Sequence, residues 1–454
     1  MGAGRGVTPK AGPRGKKVLS FSVECEHNRE RIASDMIAQS QQQERVGQAV
    51  LREFEGLWAE VVAAEDGQAA EEQVVGWVRR VGRLVLQEAL QAAIERREAQ
   101  PVRCCGRAMR RHSKEGREAL TLLGPVKVRR RYLLCPQCGK RVRPADGWLR
   151  WAGGFSFALE EIVAWECGAL PYREALGSLA KLAGVEVSLH AAQDIVARWG
   201  EEVVVPAPYA EPASAALVVQ IDGTTTHLED GWREVKVGAC YSWDPSDPKA
   251  TPQQVSFVAD WQSSADFSGT LWQEALARGA PTASAQAVIG DGAAWVWEMA
   301  SLLFPRGTQI LDWYHLTEHL WQAGRVIHGE GTAETTAIVE SWKTEVWEGR
   351  SEAVEEHLRE FVAAGDDDSQ STLRKCADYL QTHQHRLRYH LFRQAGWPVG
   401  SGVVEGACKH VIGLRFKRQS TRWTKAGARS VLHLRLDRLN DRWEARCQSL
   451  RKAA

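Results

Sequence analysis

The sequence has no apolar run that approaches the ~20 residues a membrane-spanning helix requires. Its first residues, MGAGRGVTPKAGPRGKK, contain no apolar signal core. Both absences argue against a membrane protein or an exported one, so we expect a cytoplasmic protein. Its ten cysteines should then stay reduced and either bind metal or lie buried. Six of them are scattered along the chain and are predicted to be buried: Cys25, Cys167, Cys240, Cys376, Cys408 and Cys447.

An overall excess of charge is also missing, since the formal net charge is +1. The charges are nevertheless segregated: residues 101–150 contain fourteen Lys/Arg against three Asp/Glu, and residues 406–454 contain thirteen against three. Residues 330–378 show the reverse, with thirteen acids against five bases. Basic blocks on a neutral chain fit contact with a polyanion at defined surfaces. For either block alone, an ordinary solvated basic face is the alternative.

Three carboxylates stand out. Asp222 in LVVQIDGT and Asp291 in AVIGDGAAW each close a short β-type apolar run, and Glu405 lies in a predicted helix, VVEGACKHVIGL. Gly223 and Gly292 follow the two aspartates and are expected to leave room for a phosphate backbone. Oxygen ligands from two strands and a helix suit a pair of hard divalent cations, which activate both sides of a phosphodiester. The sequence therefore predicts metal-dependent phosphodiester transfer on nucleic acid.

The hydrophobic period changes along the chain and predicts its organisation. After residue 215 it becomes two, with strands ALVVQID, EVKVGACY and QVSFVA as an antiparallel meander, followed by helix, strand, helix, strand and helix. This is the order of an RNase H-like mixed sheet, so the predicted fold class is multidomain α/β. The predicted regions are a disordered basic tail (1–18), N-terminal helices (19–100), a zinc-ribbon-like basic module (101–150), a helix-turn-helix-like module (155–203), a linker (204–214), an RNase H-like catalytic domain (215–329 and 395–454, the latter with basic helices) and an all-α acidic insertion (330–394).

A cysteine motif lies in the first basic block. The segment Cys-Pro-Gln-Cys-Gly at 135–139 has the form of a zinc knuckle, with two thiolates on a tight turn. Its partner is irregular, because Val102 stands where a second C-x-x-C pair would need a cysteine. Four ordinary cysteines are the alternative to a zinc site. The predicted Zn²⁺ ligands are Cys105, Cys135, Cys138 and, as the fourth, either Cys104 or His112.

The motifs QIDGT, IGDGAAWVW, ILDWYHL and VGSGVVEGACKHVIGLRFKRQSTRW together resemble the DDE transposases of bacterial insertion sequences. The resemblance is closest to the ISKra-type group, more distant to Mutator-like elements, and covers most of the chain. It implies that Asp222, Asp291 and Glu405 hold two Mg²⁺ ions, with Mn²⁺ able to substitute. It also implies that the enzyme cleaves DNA at element ends and transfers the 3′-hydroxyl to target DNA. The expected partners are double-stranded DNA, as terminal inverted repeats and target, and further copies of the chain in a homodimer or larger assembly at the bacterial nucleoid.

Several residues are expected close to the catalytic carboxylates. Asp312 and His315, in D-W-Y-H, resemble a signature of Mutator-related transposases and are predicted to orient a ligand or contact DNA; a helix cap is the alternative for Asp312. Lys409 follows Glu405 by one helical turn, so it is predicted to touch a phosphate or to form a salt bridge with Glu405. The predicted DNA-binding residues are Arg129, Arg130, Arg131, Arg415, Lys417, Arg418, Arg422, Trp423 and Lys425.

Two other functions were weighed against the transposase. His315, Glu318 and His319 satisfy H-x-x-E-H, the inverted zinc-peptidase motif. The motif begins immediately after the β-like QILDWY, however, whereas the peptidase needs it inside a helix, and a peptidase has no use for two basic blocks. The third possibility is a catalytically silent, transposase-derived DNA-binding regulator. The presence of all three carboxylates argues against it.

Overall fold

A computed structural model describes residues 17–201, 216–364, 367–418 and 421–453. Within them the chain forms two compact units: the first extends to Glu160 and includes Lys181–Val185, and the second comprises Glu161–Ala180 and the chain from Glu186 onward. In the described ranges no helix has the length and apolar character needed to cross a membrane. The predicted linker 204–214 and residues 1–16 of the predicted tail lie outside the described residues.

The first unit begins with two long helices, α1 (Lys17–Val62) and α2 (Gly67–Glu98). Asp66 ends the turn between them and caps α2, its carboxylate accepting a hydrogen bond of 2.8 Å from the Ala69 amide. Helix α1 starts at Lys17, inside the predicted tail and two residues before the predicted start of the N-terminal helices at residue 19.

A small β-module follows in the same unit. Val126 and Val128 pack with Ile94 of α2 in one buried cluster. Alternate residues of the fourth strand are buried, as expected when one face of a strand covers a core. The elements are β1 (Arg103–Cys104), β2 (Arg107–Ala108), β3 (Arg110–Thr121), β4 (Gly124–Leu134), β5 (Arg141–Val142) and α3 (Asp146–Leu149), with β1 paired to β2 and an antiparallel sheet in the order β3-β4-β5.

The region predicted as a helix-turn-helix-like module (155–203) contains three short helices: α4 (Phe157–Ala169), α5 (Tyr172–Ala183) and α6 (Leu189–Trp199). Ser188 caps α6, accepting a hydrogen bond of 3.2 Å from the Ala191 amide. The exposed side chains of α6 include His190, Gln193 and Asp194, and Arg198, one turn after Asp194, is half-buried.

The second unit is built on a five-stranded mixed sheet. Its strands and helices are β6 (Ala216–Leu228), β7 (Gly231–Trp243), β8 (Gln253–Asp260), α7 (Ser264–Ala277), β9 (Gln286–Gly290), α8 (Ala294–Leu303), β10 (Thr308–Leu311) and α9 (Trp313–His328). The strand order is β10-β9-β6-β7-β8; the β6-β7-β8 pairs are antiparallel and the β6-β9-β10 pairs parallel. The predicted mixed α/β architecture and element order are confirmed. Residues 216–221 of the central strand are all buried, which explains why five of the six are apolar.

Helices make up the remainder of the second unit: α10 (Ala333–Trp347), α11 (Ser351–Ala364), α12 (Asp367–His383), α13 (Tyr389–Gln394), α14 (Gly402–Ala407), α15 (Leu414–Phe416), α16 (Lys425–Leu439) and α17 (Trp443–Ala453). A π-helical segment, Cys408–Gly413, joins α14 to α15. The predicted insertion is helical, and its Val339 and Trp342 belong to the same core as the sheet. Arg446 of α17 donates to the Trp199 carbonyl at 2.6 Å, so α6 is held by the C-terminal helices.

The cysteine predictions are mostly confirmed. Cys167, Cys240, Cys376 and Cys447 are buried, Cys408 is half-buried, and the side chain of Cys25 lies outside the described residues.

Candidate active site and cysteine centre

The sheet register places Asp222 and Asp291 side by side. Strands β6 and β9 pair in parallel up to Ile221 and Gly290, so the next residues along the two strands are the aspartates. Neighbouring strands lie about 4.8 Å apart, which brings the two carboxylates to one point of the sheet. Asp291 directly follows β9, as predicted. Asp222 does not end its strand as predicted, because β6 continues to Leu228 in a hairpin with β7. Only the pairing of β6 with β9 ends at Ile221, just before Asp222.

The Asp222 carboxylate is partly withdrawn from water. Its Oδ1 accepts a hydrogen bond of 2.6 Å from the Gly223 amide, and its Oδ2 lies 3.3 Å from the Cys408 thiol, which donates. Burial raises the pKa of Asp222 above its ordinary value, and the charge of Asp291 acts in the same direction. A cation between the two aspartates would relieve this repulsion.

Glu405 reaches the same region through an anchored helix. Gln220 is 1% exposed and lies two residues before Asp222, on the same face of β6. Its Oε1 accepts a hydrogen bond of 3.0 Å from the Val404 amide, and its Nε2 donates to the Gly400 carbonyl at 3.0 Å. These bonds fix the first turn of α14, so Glu405 is held beside the strand that carries Asp222. The charge of Glu405 also acts on Cys408, the thiol bonded to Asp222.

The Glu405 carboxylate itself faces solvent and is paired with Lys409. Its side chain is 49% exposed, and its Oε1 lies 2.6 Å from Lys409 Nζ. This is the salt bridge that the sequence left open as the alternative role of Lys409. Among the described residues, the three carboxylates do not form a group whose ligand atoms all lie within 4.8 Å of one another. The adjoining π-helical segment widens the helix immediately after this turn, a feature common near functional sites.

Asp312 ties three segments of the site together. It is fully buried; its Oδ2 accepts a hydrogen bond of 2.9 Å from the His315 amide and so caps α9, the alternative role considered for it. Its Oδ1 accepts 2.6 Å from the Ser401 amide, just before α14, and its own amide donates to the Gly290 carbonyl at 2.8 Å. His315 is half-buried, and its charge opposes the upward shift in the pKa of Asp222. Asp312 therefore positions the strand and the helix that carry Asp291 and Glu405.

The glycines beside the aspartates do not open space for a phosphate. A Cβ at Gly292, where φ is +99°, would lie 2.5 Å from the Tyr379 hydroxyl oxygen, and one at Gly223 would lie 2.7 Å from a Glu234 oxygen. The Tyr379 hydroxyl donates to the Asp291 carbonyl at 2.7 Å. The expectation for these glycines is wrong because side chains of α12 and β7 fill the space.

Three residues of this region were missed in the sequence. Gln220 carries a recognisable signal, since a lone amide in the apolar run LVVQI must find partners when buried. Cys408 lies one helical turn after Glu405 and was treated only as a buried cysteine. Tyr379 carries no local signal, because it lies 88 residues from Asp291 in the chain.

The H-x-x-E-H motif lies inside a helix after all. Helix α9 begins at Trp313 because Asp312 caps it directly, so the argument that the motif follows a strand too closely to lie inside a helix is wrong. The His319 ring packs on Tyr379, with centroids 4.2 Å apart, and burial lowers the pKa of His319. In the described ranges, His315 and His319 do not join a third potential ligand in a compact group. The geometry gives a zinc peptidase no support.

Two predicted DNA contacts lie inside the second unit. Arg415 is 1% exposed, donates to the Cys167 carbonyl at 3.2 Å, and lies with its guanidinium 4.7 Å from the centre of the Trp423 ring. Burial lowers the pKa of Arg415 to about 10. Trp423 is 6% exposed and also packs on Phe416. Both side chains therefore stabilise the fold and do not face a DNA-binding surface.

The remaining predicted DNA contacts divide into paired and exposed residues. Arg130 is buried and forms an ion pair with Asp146, and the Arg131 guanidinium donates to the Glu98 carbonyl at 2.6 Å. The residues that stay exposed are Arg129, Lys417, Arg418, Arg422 and Lys425.

The cysteine centre uses both adjacent cysteines. The Sγ atoms of Cys104, Cys105, Cys135 and Cys138 all lie within 4.8 Å of one another, with 3.6 Å between Cys104 and Cys138 and 3.9 Å between Cys104 and Cys105. Four thiolates around zinc at about 2.3 Å would be separated by about 3.8 Å. His112 is not in the group. The cluster thus answers the question of the fourth ligand in favour of Cys104.

Two turns with left-handed residues build this centre. Cys105 (φ +50°) and Gly106 (φ +74°) form the turn between β1 and β2, and Gly139 (φ +73°) closes the second turn. In that second turn the amides of Cys138 and then Gln137 lower the pKa of Cys135 to about 7. Amide donors aimed at a sulfur stabilise a thiolate, which is the form that binds metal.

No protein-family model matches this chain, and no curated protein matches it.

Proposed function

We propose that this protein is a DDE-type DNA transposase with an RNase H-like catalytic domain, which cleaves DNA at the ends of an insertion sequence and joins them to target DNA. The observation that carries the proposal is the meeting of Asp222 and Asp291 on adjacent parallel strands, with Glu405 held beside them by Gln220. The strand order β8-β7-β6-β9-β10, with three antiparallel strands followed by two parallel ones, supports the same catalytic domain.

The residues present fit a divalent cation, because they offer hard oxygen ligands at a point where like charges repel. Bound Mg²⁺ or Mn²⁺ would lower the pKa of water and stabilise a leaving oxygen. Asp222 and Asp291 would hold the cation, and Glu405 would complete the set by exchanging its Lys409 partner for the cation. Released from Glu405, Lys409 is free to contact a DNA phosphate. Asp312 keeps the supporting segments in register throughout.

The cysteine centre supports a structural zinc site in the first unit. The sulfur separations match a tetrahedral site, and the second turn supplies amide donors to the sulfur of Cys135. Zinc would hold the β1-β2 turn to the end of β4. The exposed Arg129, on β4 of the same module, would face the DNA backbone.

A second copy of the chain is the proposed partner of the α1-α2 helices. Leu51, Phe54, Trp58 and Val62 follow one another at helical spacing on α1 and are 45–71% exposed, and Val74, Val75, Val78 and Val85 are exposed on α2. If each of these side chains buries roughly 100 Å², one copy contributes about 800 Å², the share of one partner in a standard interface. Light scattering should then give a dimer or larger mass that falls for Trp58→Lys and stays for Leu302→Lys. A monomeric wild-type protein contradicts this partner.

The test of the proposed function is strand cleavage of the DNA that borders the gene. Inverted repeats in that DNA define a labelled substrate, and wild-type protein with Mg²⁺ should cleave it at the repeat boundary. Asp222→Asn should abolish cleavage while retaining binding, whereas Glu298→Gln, which removes an exposed acid of α8, should cleave like wild type. Cleavage by Asp222→Asn at the wild-type rate contradicts the proposal.

A further inference from the structure

A solvent-exposed tryptophan lies on the hairpin that extends beyond the candidate active site. Trp232, the second residue of β7, is 69% exposed. It pairs across the hairpin with His227, and the two rings meet nearly at right angles with centroids 5.4 Å apart. Burial of an indole ring is strongly favourable in free energy, so an indole that stays exposed to water is often part of a binding surface. Here a neighbouring ring holds the indole in place.

Trp232 lines a cleft of about 330 Å³ together with Thr225, His227, Phe416 and Lys417. This volume is at the lower end of the ~300–1,000 Å³ found for small-molecule sites. The cleft therefore accepts one nucleotide-sized group and is too small for a duplex. The aromatic side chains of the lining are His227, Trp232 and Phe416, and the basic ones are Lys417 and Arg418, directly after α15.

The charges around the cleft favour an anion. Lys417 and Arg418 line it, Lys417 Nζ donating to the Thr224 hydroxyl at 2.5 Å and Arg418 pairing with Glu174 at 2.5 Å. The acids of the hairpin tip are engaged elsewhere. Asp230 pairs with Arg233 at 2.9 Å, and the Glu229 carboxylate accepts a bond of 3.4 Å from the Lys425 amide. No carboxylate is among the residues that line the cleft.

The cleft adjoins the candidate catalytic carboxylates. Thr225 follows Asp222 by three residues on the same strand, a distance of about 10 Å at ~3.3 Å per residue. That distance corresponds to about three base steps of a DNA strand at ~3.4 Å each. Lys417 also acts electrostatically on Cys408, the thiol that contacts Asp222. Side chains three residues apart on a strand point to opposite faces, so Thr225 lies on the face opposite to Asp222. Lys417 connects the two faces, because it lines the cleft and also donates to the hydroxyl of Thr224, which is on the Asp222 face. A strand whose phosphate lies at Asp222 can pass Lys417 and place a nearby nucleotide in the cleft.

We propose that this cleft binds one unpaired nucleotide of the DNA next to the cleavage point, with its base stacked on Trp232 and its phosphate at Lys417 and Arg418. The proposal rests on the proposed function of the same site. A base inside a duplex cannot present its face to an indole, so the nucleotide must leave the stack. Stacking of one base on an aromatic side chain strengthens binding by about 5- to 150-fold.

The experiment uses the full-length protein without divalent cation and two DNA ends of one sequence, one fully paired and one with a single unpaired 2-aminopurine near the cleavage point. Wild-type protein should bind the second DNA at least 5-fold more tightly and change its 2-aminopurine fluorescence. Trp232→Ala should lose the preference and the fluorescence change while binding the paired DNA normally. Trp232→Phe should keep most of both, and Leu302→Ala, which trims an exposed side chain of α8, should keep all.

The outcomes separate this inference from the proposed function. An unchanged preference and fluorescence response in Trp232→Ala overturns the nucleotide cleft, and wild-type protein without any preference does so too. Metal-dependent cleavage of paired DNA by that same variant would leave the transposase proposal standing. Failure of the wild-type protein to bind or cleave any DNA overturns both.

Discussion

Replacing Gln220 should displace Glu405 from the two candidate catalytic aspartates without altering any of the three carboxylates. In Gln220→Leu the side chain keeps a similar size but loses its bonds to the Val404 amide, the Gly400 carbonyl and the Tyr241 hydroxyl. The Val404 amide and the Gly400 carbonyl then lose these hydrogen bonds, at about 1–3 kcal/mol each. We therefore expect the free energy of unfolding to fall by about 2–5 kcal/mol.

The effect of this replacement on activity should exceed its effect on the folded fraction. Freed from Gln220, the first turn of α14 shifts, and a displacement of ~1 Å at a reacting group costs about 10²-fold in rate. The assay is Mg²⁺-dependent cleavage under conditions where circular dichroism shows the variant to be folded. Tyr241→Phe is the matched control, because it removes only the 2.8 Å bond between Gln220 and Tyr241. It should lose about 1 kcal/mol of stability and keep its activity within a few-fold. A folded Gln220→Leu protein as active as this control refutes the anchoring role.

Three further predictions follow from the same contacts. Burial raises the pKa of Asp222, so this carboxyl group stabilises the folded protein below its unfolded-state pKa, and that stabilisation is lost as the pH rises through its folded-state pKa. Asp222→Asn should therefore have a higher melting temperature than the wild type at neutral pH without metal. A lower melting temperature would contradict this. Asp312→Ala should cost about 2–4 kcal/mol in denaturant unfolding, because α9 loses its cap and the Ser401 amide its acceptor, and a loss below 1 kcal/mol would count against it. Purified protein should contain zinc by elemental analysis, and Cys135→Ser should lose it together with cooperative unfolding of the first unit; retention of zinc would exclude Cys135 as a ligand.

The order of elements in the second unit was predictable because the buried strands of the sheet produce a clear hydrophobic pattern in the sequence. The alternating and continuous apolar runs predicted the strands, and the change of hydrophobic period between them predicted the helices. The end of β6 was not predictable from period, since the polar run TTTHL after Asp222 still forms strand when a hairpin partner is present. The local sequence pattern does not show that β7 pairs with this part of β6.

The candidate site was predictable in its carboxylates and unpredictable in its surroundings. Motifs in the sequence identified the three carboxylates, Asp222, Asp291 and Glu405. Tyr379, which contacts Asp291, belongs to the predicted insertion and is remote from Asp291 in sequence. Arg415 was predicted to bind DNA because it lies in a basic block, but it is buried. The composition of a segment shows that it is basic and does not show which of its side chains point inward. The exposed Trp232 was missed for the converse reason, since a tryptophan in a strand is more often buried.

A crystal of the protein soaked in Mn²⁺ would test the central claim most directly, through anomalous scattering at the manganese edge. The account predicts a peak coordinated by Asp222 and Asp291, with Glu405 turned from Lys409 toward the cation. A peak elsewhere, or its absence at saturating Mn²⁺, would contradict it.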